Sequence, residues 1–238
     1  MFTEKIHPDV ILWDYDGTLV DSAKKNIKIT KEILKVVAPH LTGNNLPFSL
    51  LTEPAYHEAN HKAENWQDLY KNFYGLNEAE TLQAGSLWTK YQLESKTPVK
   101  FFDGIKEVLN ELSHVSHGIC SQNSSKNILK ELKGNDLDKF FKAVIGYDDL
   151  AEGEQKPSPK SGILCLEKIF DIIKNKTILY FGDHESDVLF ARNLSSELHL
   201  SNKVYSAAVT YSGADISNWK VSPDFIFPSP TDITSFFK

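Results

Sequence analysis

Apolar and polar positions follow a few distinct rhythms along the chain. Val10-Ile11-Leu12-Trp13 is a short unbroken apolar run closed by a turn signal, the pattern of a strand buried on both faces. From Ser22 the period becomes helical. Ile29, Ile33, Leu34 and Val37 share one face, and Pro39 stops the run. Residues 39–54, with Gly43, Asn44, Asn45, Pro47 and Pro54, read as a loop. Tyr56, Ala59, Ala63, Trp66, Tyr70 and Phe73 recur at steps of three and four, which predicts one helix with Gly75 as its C-terminal cap. Asn77 with Glu80 three residues on resembles a capping box, opening a further helix through Tyr91.

From Val99 strands and helices alternate. A helix over Ile105, Val108, Leu109 and Leu112 precedes the strand His117–Cys120. A helix over Ile128, Leu129 and Leu132, closed by Gly134, precedes the strand Ala143–Gly146. After a polar loop to Pro159 come a helix through Phe170, the strand Thr177–Phe181 and a helix from about Glu185 to Leu194. Val204–Val209 and Phe225–Phe227 are weaker strands, and Pro230–Phe237 a closing helix. This rhythm predicts a Rossmann-like α/β domain, a parallel sheet with helices on both faces, over residues 1–21 and 99–238, with an all-helical insert at 22–98. Such sheets bind ligands beyond the carboxyl ends of their strands. Asp14, Ser121 and Asp183 each follow an apolar strand directly, so all three are expected at one crevice.

Composition narrows the partners. Across 238 residues, 41% are hydrophobic and 24% charged, enough for a sizeable core. The net charge of −6 argues against nucleic acid, and a single arginine, Arg192, nearly excludes bidentate arginine clamps on a substrate. Cys120 and Cys165 sit in apolar surroundings and read as buried, reduced thiols. No apolar run has the length of a membrane span and no leader precedes Asp14, so a cytoplasmic protein without a membrane partner is expected. The pattern leaves the oligomeric state open.

Asp14 and Asp16 leave the same side of an extended backbone, where two carboxylates repel unless a cation or a shared proton relieves them. The stretch Asp14-Tyr15-Asp16-Gly17-Thr18-Leu19 resembles the first motif of the haloacid dehalogenase-like phosphohydrolases. Further motifs of that family follow in order: Ser121 after Gly118-Ile119-Cys120, Lys156 in Lys-Pro-Ser-Pro, and Asp183 and Asp187 in Gly-Asp-His-Glu-Ser-Asp. The resemblance implies a helical cap at 22–98 and an aspartyl-phosphate mechanism. Asp14 would be the nucleophile, and Asp16 the acid that protonates the leaving oxygen and then the base that activates water. It assigns magnesium to Asp14, the backbone carbonyl of Asp16, and Asp183; Asp187 is either a further ligand or the residue that orients a bound water or Lys156. Ser121, Gln122 and Asn123, with Thr18 and Lys156, would contact the phosphoryl group. The Asp-Gly-Thr-Leu-Val-Asp-Ser run is most like the phosphoglycolate phosphatase branch. The implied reaction is therefore magnesium-dependent hydrolysis of a small phosphomonoester metabolite. Two departures stand out: Gln122 separates Ser121 from Asn123, and Phe102-Asp103-Gly104 stands where relatives carry a proline-glycine pair.

Other readings compete. Ser121 could be a helix N-cap, as could Asn123 or Ser124, and Lys156 a solvated loop lysine. His184, Glu185 and Ser186 read as an exposed helix start. His57-Glu58-Ala59-Asn60-His61 fits the zinc metalloprotease signature His-Glu-x-x-His. Its histidines, however, lie nearly opposite the apolar stripe, and that reading leaves the aspartates unexplained. A β-phosphoglucomutase-like phosphomutase would share the fold and cap, whereas dehalogenase- and phosphonatase-like members lack an aspartate at the position of Asp16. A non-catalytic binding protein is the remotest alternative. Lys62, Lys71 and Lys90 are the insert cations expected to replace arginine in substrate contacts.

Overall fold

The structure, a computed structural model, describes residues 6–198 and 201–238. Contacts divide the chain into two units, residues 1–21 with 101–238 and residues 22–100.

In chain order the strands are β1 (Val10–Trp13), β2 (Val20–Asp21), β3 (Lys100–Phe101), β4 (Ser116–Cys120), β5 (Phe141–Ile145), β6 (Thr177–Gly182), β7 (Lys203–Val209) and β8 (Phe225–Phe227). The helices are α1 (Ala23–Val37), α2 (Glu53–Lys62), α3 (Trp66–Asp68), α4 (Glu78–Glu94), α5 (Ile105–Glu111), α6 (Ser125–Gly134), α7 (Lys160–Ile169), α8 (Glu185–Glu197) and α9 (Pro230–Phe237). Six strands form one sheet in the order β5-β4-β1-β6-β7-β8, and every pairing is parallel. The sequence runs outward from β1 through β4 and β5, then restarts at β6 on its other side. The switch point therefore lies beside β1, and a crevice opens there beyond the strand ends.

The apolar run of β1 is continuous because helices cover both faces of a central parallel strand. Its period of two sends Val10 and Leu12 into a core with Cys120, Cys165, Tyr180 and Phe190. The alternate residue Trp13 stacks on Phe181 with ring centroids 4.4 Å apart. Trp13 pairs in register with Ile119 and Phe181, and the Asp14 N–H donates to the Phe181 carbonyl at 2.8 Å. Asp14 is thus the first residue past the hydrogen-bonded strand. Both cysteines are free and buried.

The unit of residues 22–100 is helical and has its own core, with Ile33, Leu34, Leu50 and Ala84 fully buried. The capping box at Asn77 and Glu80 is present and opens α4. The single helix expected from Tyr56 to Phe73 is instead broken. Ala63 is extended, the Asn65 side chain accepts the Asp68 N–H at 2.9 Å, and Asp68 in turn accepts the Glu64 N–H. These local caps override the apolar periodicity. Leu69–Phe73 then takes a π turn, where one extra residue per turn keeps both Tyr70 and Tyr74 buried. The expected loop over 39–54 contains three short 3₁₀ turns and ends earlier than its prolines suggest. Pro54 sits in the first turn of α2, where it needs no N–H partner, and Thr52 caps that helix. The two-residue strands β2 and β3, which pair with each other, carry too short a pattern for periodicity to reveal.

Candidate active site

The ends of β1, β4 and β6 bring Asp14, Ser121 and Asp183 to the crevice, and α8 adds Asp187 from its first turn. Carboxylate oxygens of Asp14, Asp183 and Asp187 lie within 4.8 Å of one another, and all three residues are buried. Two glycines make this crowding possible. A Cβ on Gly17, whose φ is +75°, would stand 2.0 Å from Asp183 Oδ2, and one on Gly182 would stand 2.3 Å from the Asp187 carboxyl carbon.

Lys156 enters the cluster from the loop before α7, with its side chain only 5% exposed. Its Nζ donates to Asp14 Oδ1 at 2.8 Å and to Asp187 Oδ1 at 2.6 Å. Burial pushes the Asp14 carboxyl up to about 7; Lys156 opposes that shift, while Asp187 and Asp183 add to it. Burial disfavours the Lys156 ammonium, but Asp14 and Asp187 outweigh it and hold the group above its ordinary value. Three buried carboxylates against one ammonium leave negative charge that a cation can neutralise. Hard oxygen donors at this spacing suit magnesium, so the residues present fit such an ion. Asp187 holds Lys156 directly, one of the two expected placements.

Asp16 lies in the turn after β1, half-buried, and accepts from Asn123 Nδ2 at 2.8 Å. That turn is tied by the Leu19 and Val20 N–H groups on the Tyr15 carbonyl. Ser121 follows β4, its N–H on the Ile145 carbonyl and its Oγ accepting the Asn123 N–H at 3.2 Å. Ser121, Asn123 and Asp16 are therefore joined in one chain of hydrogen bonds. Gln122, the residue inserted between them, is exposed. The Thr18 hydroxyl is fully buried and has no hydrogen-bond partner among the described residues.

The helix-cap alternative for Ser121 is not what forms. The N-cap of α6 is Ser124, and it is served from another loop. Asp148 accepts the Ser125 N–H at 2.6 Å and the Ser124 hydroxyl at 2.9 Å. Burial works to raise the Asp148 carboxyl, but these donors outweigh it and lower it. The expected exposed start of α8 is also more ordered: His184 accepts the Ser186 N–H, and Glu185 accepts the Lys220 and Val221 N–H groups. His57 and His61 lie on α2 with ring centroids 6.2 Å apart, while Glu58 is paired to Lys62 at 2.6 Å. They belong to no metal-ligating group of three among the described residues. Lys71 pairs with Glu78, so Lys62 and Lys71 each hold a glutamate of their own unit, and Lys90 is exposed.

Sequence reasoning missed two tyrosines. Tyr180, read as an apolar residue of a strand, places its hydroxyl on Lys156 and Asp187. Tyr211, after β7, donates to the Thr18 carbonyl at 2.6 Å and packs on Phe102. The available signal was chemical: a buried phenol needs a partner. No helix among the described residues is long and apolar enough to cross a membrane.

Comparison with known proteins agrees with this frame. Pyrophosphatase PpaX of Listeria monocytogenes is 25% identical over 186 residues, covering 77% of this chain and 78% of that protein. The protein of the same name from Oceanobacillus iheyensis is 26% identical over 228 residues, 94% of each chain. In fold, the crystal structure of a predicted phosphoglycolate phosphatase from Haemophilus somnus superposes with a TM-score of 0.69 at 21% identity, covering 97% of this chain and 98% of that one. The family description for haloacid dehalogenase-like hydrolases matches residues 11–198, from β1 before Asp14 to the end of α8 beyond Asp187. The chain therefore belongs to the haloacid dehalogenase-like hydrolases, a family of enzymes.

Proposed function

We propose that the protein is a magnesium-dependent phosphatase that hydrolyses a small phosphomonoester metabolite through an aspartyl-phosphate on Asp14. The observation that carries the reading is the Asp14–Lys156 contact at 2.8 Å inside a buried group of three carboxylates. A carboxylate nucleophile must be ionised and aimed; a buried ammonium on one of its oxygens aims it and works against the protonation that burial favours. Asp14, Asp183 and the Asp16 carbonyl would hold magnesium, with Asp187 close enough to join them. When bound, the ion supplies charge neutralisation for the phosphoryl oxygens. Asp14 attacks phosphorus and the ester oxygen leaves with a proton from Asp16. Asp16 then takes a proton from the water that cleaves the aspartyl-phosphate, releasing phosphate and restoring both carboxyl groups. Asn123, bonded to Asp16, fixes the direction from which that acid acts. Ser121 and the N–H groups beside it contact the phosphoryl oxygens.

The PpaX relatives carry a pyrophosphatase name, so pyrophosphate stands beside the phosphomonoesters as a substrate to test. The test is phosphate release from pyrophosphate and a panel of small esters, including phosphoglycolate, with and without magnesium. Release that requires magnesium, with a higher magnesium requirement in Asp183→Asn, is the expected result. Interconversion of glucose phosphates without release would make the protein a phosphomutase, and the absence of both activities would remove the phosphatase reading.

A further inference from the structure

The Lys156 ammonium carries three N–H bonds. Three acceptors lie on it: Asp14 Oδ1 at 2.8 Å, Asp187 Oδ1 at 2.6 Å and the Tyr180 hydroxyl oxygen at 3.0 Å. With every donor assigned, the ammonium cannot roll about its own bond without losing a partner, and one N–H is held facing Asp14. The phenol's own proton has two acceptors in reach, the Cys120 carbonyl at 3.0 Å and Asp187 Oδ1 at 3.1 Å. Cys120 is the residue before Ser121. One buried oxygen therefore ties together the end of β4, the lysine loop and the first turn of α8. The ring that carries it is buried and packs on Phe190, with centroids 4.6 Å apart, while the hydroxyl is held by its own hydrogen bonds. Burial first, then the nearby carboxylates, pushes the Tyr180 hydroxyl well above its ordinary range, so it stays a neutral donor and acceptor.

We propose that Tyr180 is a positioning residue of the phosphoryl-transfer site, its hydroxyl being the third hydrogen-bond partner that fixes the orientation of Lys156 toward Asp14. The proposal rests on the phosphatase reading above. Tyr180→Phe keeps the ring, the packing and both carboxylate partners of Lys156, and removes the one oxygen. Ground-state binding is retained while the aim of the lysine is loosened, so the loss falls on kcat rather than on KM.

The experiment compares wild type, Tyr180→Phe and Phe190→Leu on the preferred phosphate ester, with Tm measured for each. Phe190→Leu thins the packing on the same ring and leaves the hydroxyl in place. The expected result is a kcat about tenfold lower in Tyr180→Phe, the effect of one modest hydrogen bond, with KM within about twofold. Phe190→Leu is expected to lower Tm while keeping kcat. Wild-type kcat in Tyr180→Phe, or an equal loss of kcat in Phe190→Leu, overturns the proposal. Either leaves the phosphatase reading standing. Absence of turnover by wild type on every ester would remove both.

Discussion

Asp14 and Asp16 are the same side chain two residues apart, and their surroundings separate them. Asp14 is buried among two carboxylates with the Lys156 ammonium on one of its oxygens, whereas Asp16 is half-buried and bonded to an amide. Different environments on like groups are how one site obtains a nucleophile and an acid. Asp16→Asn keeps the size of the side chain but cannot give or take the proton. It is expected to lower kcat on an alkyl phosphate about 100-fold or more, the usual worth of a positioned acid or base. The loss will shrink on a nitrophenyl ester, whose leaving group needs little protonation. Equal turnover of the alkyl ester by wild type and variant would refute the role. At this scale, Asp14 and Asp183 were legible because they close apolar runs, while Lys156 and Asp187 stood out only through the resemblance of their motifs. Tyr180 and Asp148 were not. Each acts on a residue 24 positions away, and periodicity treats an aromatic inside a strand, or an acid in a loop, as packing or solvation only.

Among the elements, β1 and β4 are joined by an uncommon polar pair. Trp13 Nε1–H can only donate, so His117 Nδ1 accepts it at 3.0 Å, and His117 Nε2 must carry the ring proton that meets the Leu112 carbonyl at 3.0 Å. A second proton on the ring would set N–H against N–H. Burial, with His114 nearby, pushes His117 down to about 4 against the pull of the Leu112 carbonyl. The unfolded ring takes its proton near pH 6.5 and the folded one only near 4. This site's stabilisation is therefore complete above about pH 6.5 and declines as pH falls through that window, by on the order of 3 kcal/mol in all. Urea midpoints of wild type and His117→Gln, taken near pH 7 and near pH 4.5, check it. The variant starts less stable but loses less on acidification, and parallel losses would contradict the assignment. Elements with long, regular patterns were readable: the central strands, α4 with its capping box, and the helices that flank the sheet. The break between α2 and α3 was hidden because Asn65 and Asp68 settle the backbone by hydrogen bonds that an apolar stripe does not register.

Across the whole molecule, function depends on a topology that reverses beside β1. Residues as far apart in sequence as Asp14 and Asp187 meet because parallel strands all end on one edge. Such convergence could be anticipated from the strand–helix rhythm, since Asp14, Ser121 and Asp183 each followed a strand and Asp187 lay in the first turn of a helix. What it left open was which side chains touch, as that depends on a fraction of a turn in each loop. The substrate is left open for a related reason. A net charge of −6 and one arginine argue against a broad basic surface for a large polyanion, and therefore for recognition of a small phosphate by local groups. Central to the proposed reaction is a covalent phosphoryl group on Asp14. Its most direct test is to quench the enzyme in acid during turnover of its preferred ester, reduce it with borohydride and map the chain by mass spectrometry. An aspartyl-phosphate is reduced and a free carboxylate is not, so homoserine is expected at position 14, absent when the ester is omitted. Turnover with Asp14 unmodified, and with full activity retained in Asp14→Asn, would contradict it.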